Sequence, residues 1–446
     1  MLVWPCKRSC YAGTIVWEVS YIMGLIKRIK SHPGFQAELV WFSLTQCLYW
    51  ASNSALYSFV VMYLRSLGYS SAICGLATGS LWIFSLIVQP MMGYLTDTYI
   101  SGKKLLLVFF AVAVPMTFVI PAVAGLGTLV LVALIGQSTL DNYQYCVIDA
   151  WIVQSSREKP CIDFGRIRSF GSLGYAVSAL VMGRLIDGFG FWVMFVGHAV
   201  LLTLCALCLT RIDAVPCLNK CTCAGDKSLS IREVISTLIH NRTYLIFVIS
   251  VALYQFGIRP SASYFSMVIA SMGGGSSHVG LGTFVASFGE VFVMMVVSRL
   301  LRRGVRMELI YGVALLCGVL RLVVMSLPLG ISALIAGQVL SSITVGTYIR
   351  VFAQYITELT PGKISGSATT LATALTYFCG GVIGNLSGGY LMDTFGTFGY
   401  IRICAASMAL AFVAFLPTFM PLLRAQLGLQ PVVKQKRVPA RPRHVL

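Results

Sequence analysis

GRLIDGFG, residues Gly183–Gly190, returns as GYLMDTFG, residues Gly389–Gly396, 206 residues further along the chain. Each octapeptide closes an apolar stretch, and the two stretches hold equivalent places, fifth and eleventh, in a succession of twelve. A lone G-x-L-x-D match means little. At equivalent ends of two six-stretch halves it points to a duplicated unit. The twelve stretches run approximately 36–64, 71–95, 104–122, 126–153, 168–186, 191–210, 243–270, 279–301, 307–327, 331–357, 366–391 and 398–420. About 20 apolar residues cross a hydrocarbon core as a helix, so each stretch is long enough to span a membrane.

Composition requires the same solution. Of 446 residues, 57% are apolar and 11% charged, with a mean hydropathy of +0.83. Soluble domains run near 45–50% apolar and about 25% charged. A cytosolic enzyme, a nucleic-acid-binding domain, a secreted disulfide scaffold and a disordered chain are excluded. The expected fold class is an all-α membrane protein of twelve transmembrane helices in two six-helix bundles.

The net charge of +18 has to be read by location. Basic residues gather in the leader (Lys27, Arg28, Lys30), beside Lys103 and Lys104, around Arg157, Lys159, Arg166 and Arg168, from Arg211 to Arg242, from Arg299 to Arg306, at Lys363 and in the tail. Arg65, Arg184 and Arg402 lie on the other side, and Arg259, Arg321 and Arg350 within spans. By the positive-inside rule both termini are cytoplasmic, in a plasma or inner membrane. The expected organisation is a leader over 1–35, an N-terminal bundle over 36–210, a cytoplasmic middle loop over 211–242, a C-terminal bundle over 243–420 and a basic tail over 421–446. The phrase MGLIKRIKSHPGF makes Met23 an alternative translation start, and no cleavable signal peptide is evident. The tail PVVKQKRVPARPRHVL is explained by anionic lipid headgroups, not nucleic acid.

Fourteen cysteines suggest a framework until they are placed. Most sit singly in apolar runs, as small hydrophobes. Cys217, Cys221 and Cys223 cluster in the middle loop, where reduced thiols are expected, and a metal site there would lack a fourth ligand. Neither metal nor cofactor is expected.

Two segments carry a family resemblance. FSLIVQPMMGYLTDTYISGKKLLL, Phe84–Leu107, resembles the signature of the major facilitator superfamily. Gly93 lets two helices approach, and Asp97 can cap the next helix or pair with Lys103 and Lys104 across the cytoplasmic mouth. Here Thr98 stands where the family has a basic residue. DAWIVQSSREKPCIDFGRIRSFGSLGYA, Asp149–Ala176, resembles the 4–5 hairpin of the oligosaccharide:proton symporters, the lactose-permease-like branch. YFSMV, FGE, LRLV and GSATT, in spans seven, eight, nine and eleven, extend the likeness in order over roughly 36–420.

An intramembrane charge costs several kcal/mol unless paired or wetted, so each is a functional candidate. Asp149 and Arg168 stand ten and nine residues from the hairpin tip near Lys159. That puts them at one depth on antiparallel helices, able to pair. The resemblance implies that this acid and Arg bind substrate hydroxyls and that Tyr175, matching a Trp, stacks on a sugar ring. The bland alternative is an ion pair ordering the hairpin. Glu290, amid the apolar run ASFGEVFVMM, can exchange a proton, and the resemblance gives it the eighth-span Glu's role with Arg321 as its partner. The alternative for Arg321 is snorkelling at the outer interface. Span ten lacks the family's His and Glu and offers Ser341, Ser342, Thr344 and Arg350. Span seven replaces its paired Asp by Gln255 and Ile258, with Arg259 nearby. Proton coupling would therefore fall to Asp141, Asp149 or Glu290. His198 reads as a satisfied helix residue.

The expectation is a secondary transporter, acting as a monomer by alternating access on a sugar or other ring-bearing solute with protons. Uniport, antiport, export, and carriage of nucleosides or aromatic acids stay open. A membrane-embedded enzyme or a receptor is the remote alternative, since the five His are scattered and no loop domain exists.

Overall fold

The computed structural model describes residues 37–83, 102–158, 162, 164–212, 231–361 and 364–426. The leader, Gly93, Asp97, Lys159, the Cys217 cluster and the tail lie outside them. Among the described residues the regular structure is helical, without a strand. Lipid supplies no hydrogen bonds, and the helix satisfies every backbone group within its own segment.

Span one comprises Ala37–Tyr57 and Val60–Ser66, and span two is described over Ser71–Ile83. Spans three to six are Gly102–Ala122, Leu129–Glu158, Phe164–Phe189 and Trp192–Thr210. Span seven is Arg242–Ser263 with Phe265–Ser271, and spans eight to ten are Ser276–Arg302, Met307–Met325 and Ile331–Leu359. Span eleven runs through Ser365–Tyr377, a π-helical turn at Phe378–Gly384 and the start of Asn385–Gln426. That last helix bends at Gly396, whose φ of +74° breaks it, and the remainder is span twelve. Among the described residues, eight helices are long and apolar enough to cross a membrane, the last of them containing spans eleven and twelve. Spans one and four fall short because Gln46, Ser52 and Ser54, and Gln137, Asp141 and Gln144, point inward from them.

The radial distribution is that of a protein in lipid. Val108, Val112, Leu207, Leu320 and Leu410 are exposed while Gln46, Gln137, Gln144 and Asn385 are buried. The middle segment departs from a plain loop. Ile231–His240 is a helix, and its Ile235, Leu238 and Ile239 lie against Tyr244, Val248 and Leu371. Apolar residues at i, i+3 and i+4 explain it.

The two bundles meet at the face opposite the ends of the described chain. Gly183 of span five lies against Ser276 and Gly280 of span eight, where a Cβ would come 2.5 Å from the Ser276 carbonyl oxygen. Gly389 of span eleven lies against Ser71 and Gly75 of span two, with the corresponding distance 2.4 Å. Asp187 accepts hydrogen bonds from the backbone N–H groups of Ser276 and Ser277, each at 2.8 Å, and from the Ser277 hydroxyl. Asp393 accepts from the Ala72 N–H at 3.0 Å. Each repeated aspartate thus caps a helix of the opposite bundle, satisfying its orphan donors and meeting its positive end. Each octapeptide also ends on a glycine at positive φ, Gly190 at +89° and Gly396 at +74°, the left-handed residue that terminates a helix.

Candidate functional site

On the N-terminal bundle the site is built around Trp50 of span one. Gly171 and Gly174, from the phrase GSLGYA, bring span five onto span one. A Cβ at 171 would lie 2.6 Å from the Trp50 ring, and one at 174 would lie 2.2 Å from the Cys47 carbonyl oxygen. The Arg168 guanidinium sits 4.2 Å from the Trp50 ring centroid, a cation–π contact. Tyr145 meets the same ring edge-on at 5.3 Å, and Tyr175 lies 6.2 Å from it. Asp149 accepts a hydrogen bond from the Gln46 amide. Tyr175 and Ser58 share a hydrogen bond of 3.2 Å. Asp149, Arg168 and Tyr175 are half-buried and come together as expected. They do so through Trp50, Gln46 and Tyr145, not through a direct Asp149–Arg168 ion pair, although the two charges feel each other. Sequence spacing fixes depth, and it carries no information about the aromatic ring that fills the gap.

Glu290 of span eight faces this cluster from the other bundle. Arg168 is the charge it senses, and Tyr175 of span five and Tyr254 of span seven lie within its field. Span ten approaches it with Gly346 against its backbone. Arg321 does not take the expected place beside Glu290. It is buried inside the C-terminal bundle and donates to Ser261 of span seven at 3.1 Å and to Gln338 of span ten at 3.3 Å. The reason is helical register: Arg321 turns into its own bundle, while Glu290 turns toward the opposite one. Its Nε is buried without a partner among the described residues.

Asp141 also belongs to an interior, that of the N-terminal bundle. Its carboxylate accepts from Tyr57 at 2.7 Å and Gln137 at 3.1 Å and lies 3.5 Å from His198 Nε2. His198 Nδ1 is 2.9 Å from both the hydroxyl and the carbonyl oxygen of Ser52. His198 is therefore well satisfied, and its acidic neighbour was missed because three separate spans supply the network. On the chain-end face, Lys103 caps the C-terminus of span six, donating to the carbonyls of Thr210 at 3.1 Å and Ile212 at 2.5 Å. Lys104 is exposed.

A two-bundle helical membrane carrier with charged and aromatic side chains brought together inside it is the class these features define. The family model described as "MFS_1 like family" matches residues 39–402, and the chain belongs to that family, within the major facilitator superfamily. Maltose permease of Geobacillus stearothermophilus is 26% identical over 366 residues, 81% of this chain and 89% of that one. Multidrug resistance protein MdtG of Klebsiella pneumoniae is 27% identical over 305 residues, 64% of this chain and 72% of that one. The solved structure of the nucleoside transporter NupG superposes with a TM-score of 0.71, covering 86% of this chain and 99% of that one. At 15% identity that likeness concerns the fold. The chain is a multi-pass membrane transporter for a small molecule.

Proposed function

We propose that the protein is a proton-coupled symporter for a ring-bearing polar solute of sugar or nucleoside size. It acts as a monomer in a cell membrane, with both termini in the cytoplasm and domain limits near 36–210 and 243–420. Asp149, Arg168 and Tyr175 hold the solute, Glu290 carries the proton, and the bundles rock about the cleft. Lys103 and Lys104, with Gly93 and Asp97, serve the cytoplasmic gate. Arg321 and Asp141 hold the two bundle interiors in the shape this requires. The observation that carries the reading is the Trp50 platform with Arg168 beside it, facing Glu290 across the bundle divide. An aromatic face stacks a ring, the guanidinium orients its polar edge, and a carboxyl in the guanidinium's field links solute to proton. The names of the maltose permease and NupG relatives agree with a sugar or nucleoside.

The test is uptake by proteoliposomes of labelled sugars, nucleosides and ring-bearing acids, with and without an imposed pH gradient. One pH unit is worth about 1.4 kcal/mol, or tenfold in accumulation. Glu290→Gln abolishes gradient-driven accumulation while exchange of labelled for unlabelled solute persists. Wild-type transport indifferent to the pH gradient overturns the coupling. A panel in which nothing ring-bearing moves overturns the solute class. The MdtG relatives favour a second reading, export, which drug efflux from inside-out vesicles would reveal.

A further inference from the structure

Arg259 has no role in the site described so far. Its guanidinium carbon lies 4.6 Å from the ring centroid of Trp82 on span two and 4.7 Å from that of Tyr377 on span eleven. The rings are 5.5 Å apart at 68° and form a two-sided seat for the cation. Trp82 belongs to the N-terminal bundle and Arg259 to the C-terminal one, so the seat straddles the divide. Span eleven is shaped to make it. Tyr377 immediately precedes the π-helical turn Phe378–Gly384, a distortion that often marks functional positions. Within that turn, Gly381 admits the Trp82 ring, which a Cβ would meet at 2.6 Å. Gly380 admits the Gln255 carbonyl, at 2.4 Å.

The seat mirrors Arg168 over Trp50 across the cleft. Arg168 stands on the N-terminal bundle over Trp50, and Arg259 stands on the C-terminal bundle where span two meets span eleven. Arg259 Nε donates to Gln255 at 3.3 Å, and neither guanidinium has a carboxylate within ion-pair distance among the described residues. Two cations at membrane depth, each seated against aromatic rings with no carboxylate in ion-pair reach among the described residues, are costly to hold without an anion. A guanidinium edge is also the geometry that grips a carboxylate or phosphate with two parallel hydrogen bonds.

We infer that Arg259, seated on Trp82 and Tyr377, is the second half of the binding site, and that the transported ring-bearing solute carries a negative charge. The inference rests on the proposed reading of the cleft as the solute site. With the proton bound as O–H on the Glu290 carboxyl, the cleft holds Arg168, Arg259 and Asp149, a net single positive charge. A monoanion then enters a balanced site. On the far side the proton leaves Glu290 and the anion leaves the arginines, so no net charge crosses the membrane.

The test uses the full chain in proteoliposomes and paired probes: glucuronate against glucose, and 4-hydroxybenzoate against 4-hydroxybenzamide. The expected result is that one acid moves at least about tenfold faster than its neutral partner, the preference a charge-assisted hydrogen bond confers. Its uptake responds to a pH gradient and ignores a potassium–valinomycin membrane potential. Arg259→Gln removes the acid preference, and Arg259→Lys, keeping the charge and losing the fork, restores part of it. A neutral partner carried equally well, or uptake driven by membrane potential, overturns the inference and leaves the proposed solute class standing. The wild-type ratio and potential dependence decide the matter even where a variant fails to fold. If no ring-bearing probe moves at all, it is the underlying reading of the cleft that fails.

Discussion

Where the two bundles touch they are copies of one another; in their interiors they are not. At the seam, Gly183 and Gly389 admit the opposite bundle to backbone contact, and Asp187 and Asp393 cap the opposite bundle's helices. Inside, the N-terminal bundle buries the Asp141 carboxylate against His198, Tyr57 and Gln137. The C-terminal bundle buries a cation, Arg321, against the neutral Ser261 and Gln338. A duplicated unit that must close on its twin has kept its contact surface under one geometric demand. The interiors carry no such demand and have solved polar burial separately, one around a carboxyl held by a phenol, an amide and an imidazole, the other around a guanidinium held by a hydroxyl and an amide.

The sharpest way to break this contrast is to remove each interior charge. Asp141→Leu leaves Tyr57 and Gln137 buried without their shared acceptor, and each buried polar group left unsatisfied costs about 1–3 kcal/mol. Arg321→Met removes a buried cation that has no carboxylate partner, and with it that charge's desolvation cost, while Ser261 and Gln338 lose one hydrogen bond each, about 1 kcal/mol apiece. Thermal unfolding of the detergent-solubilised protein should show a large drop for the first and little change, or a rise, for the second. Equal drops would mean that Arg321 is held by more than its two neutral acceptors.

A smaller effect tests the seam. Leucine at Gly183 or at Gly389 would drive a side chain into backbone already close enough to clash with a Cβ. Overpacking of that kind costs about 1–3 kcal/mol, here levied on the closed state alone. The closed population should fall by roughly tenfold to a hundredfold, with exchange in proteoliposomes slowed alike in both variants. Spin labels on spans five and eight should then report a wider separation at this face. If one glycine tolerates leucine and the other does not, the seam is not two equal contacts.

How much could be read beforehand follows the same line. The octapeptides were legible because helix termination, close approach and capping each demand a particular residue type, so Gly183, Asp187 and Gly190 recur as Gly389, Asp393 and Gly396. Asp149, Arg168 and Tyr175 were legible through depth in a hairpin and through resemblance. Arg321's expected pairing with Glu290 failed because a likeness in span order does not fix which way a helix turns, and register puts the two on different sides of span packing. Trp50, Trp82 and Tyr377 left no signal, since an aromatic residue in an apolar span looks the same facing lipid, core or cleft. His198 and Asp141 sit on spans six and four, and only the packing of three helices shows them to be neighbours.

The finest test of the seam's symmetry lies in its two aspartates. Asp187 satisfies two backbone N–H groups and a hydroxyl, whereas Asp393 satisfies one N–H among the described residues. Loss of a helix cap costs about 1 kcal/mol, with a few tenths more from the helix dipole. Asp187→Ala should therefore shift the balance away from the closed far face by about tenfold and Asp393→Ala by about fivefold. Asparagine at either position should recover most of the loss, because its amide oxygen still accepts. The measurement is the distance distribution between labels across each contact, span five to span eight and span two to span eleven. A double variant should add the two shifts, as the contacts lie on separate helix pairs. A shift larger for Asp393 than for Asp187 would mean that the second contact, not the first, carries the closed state.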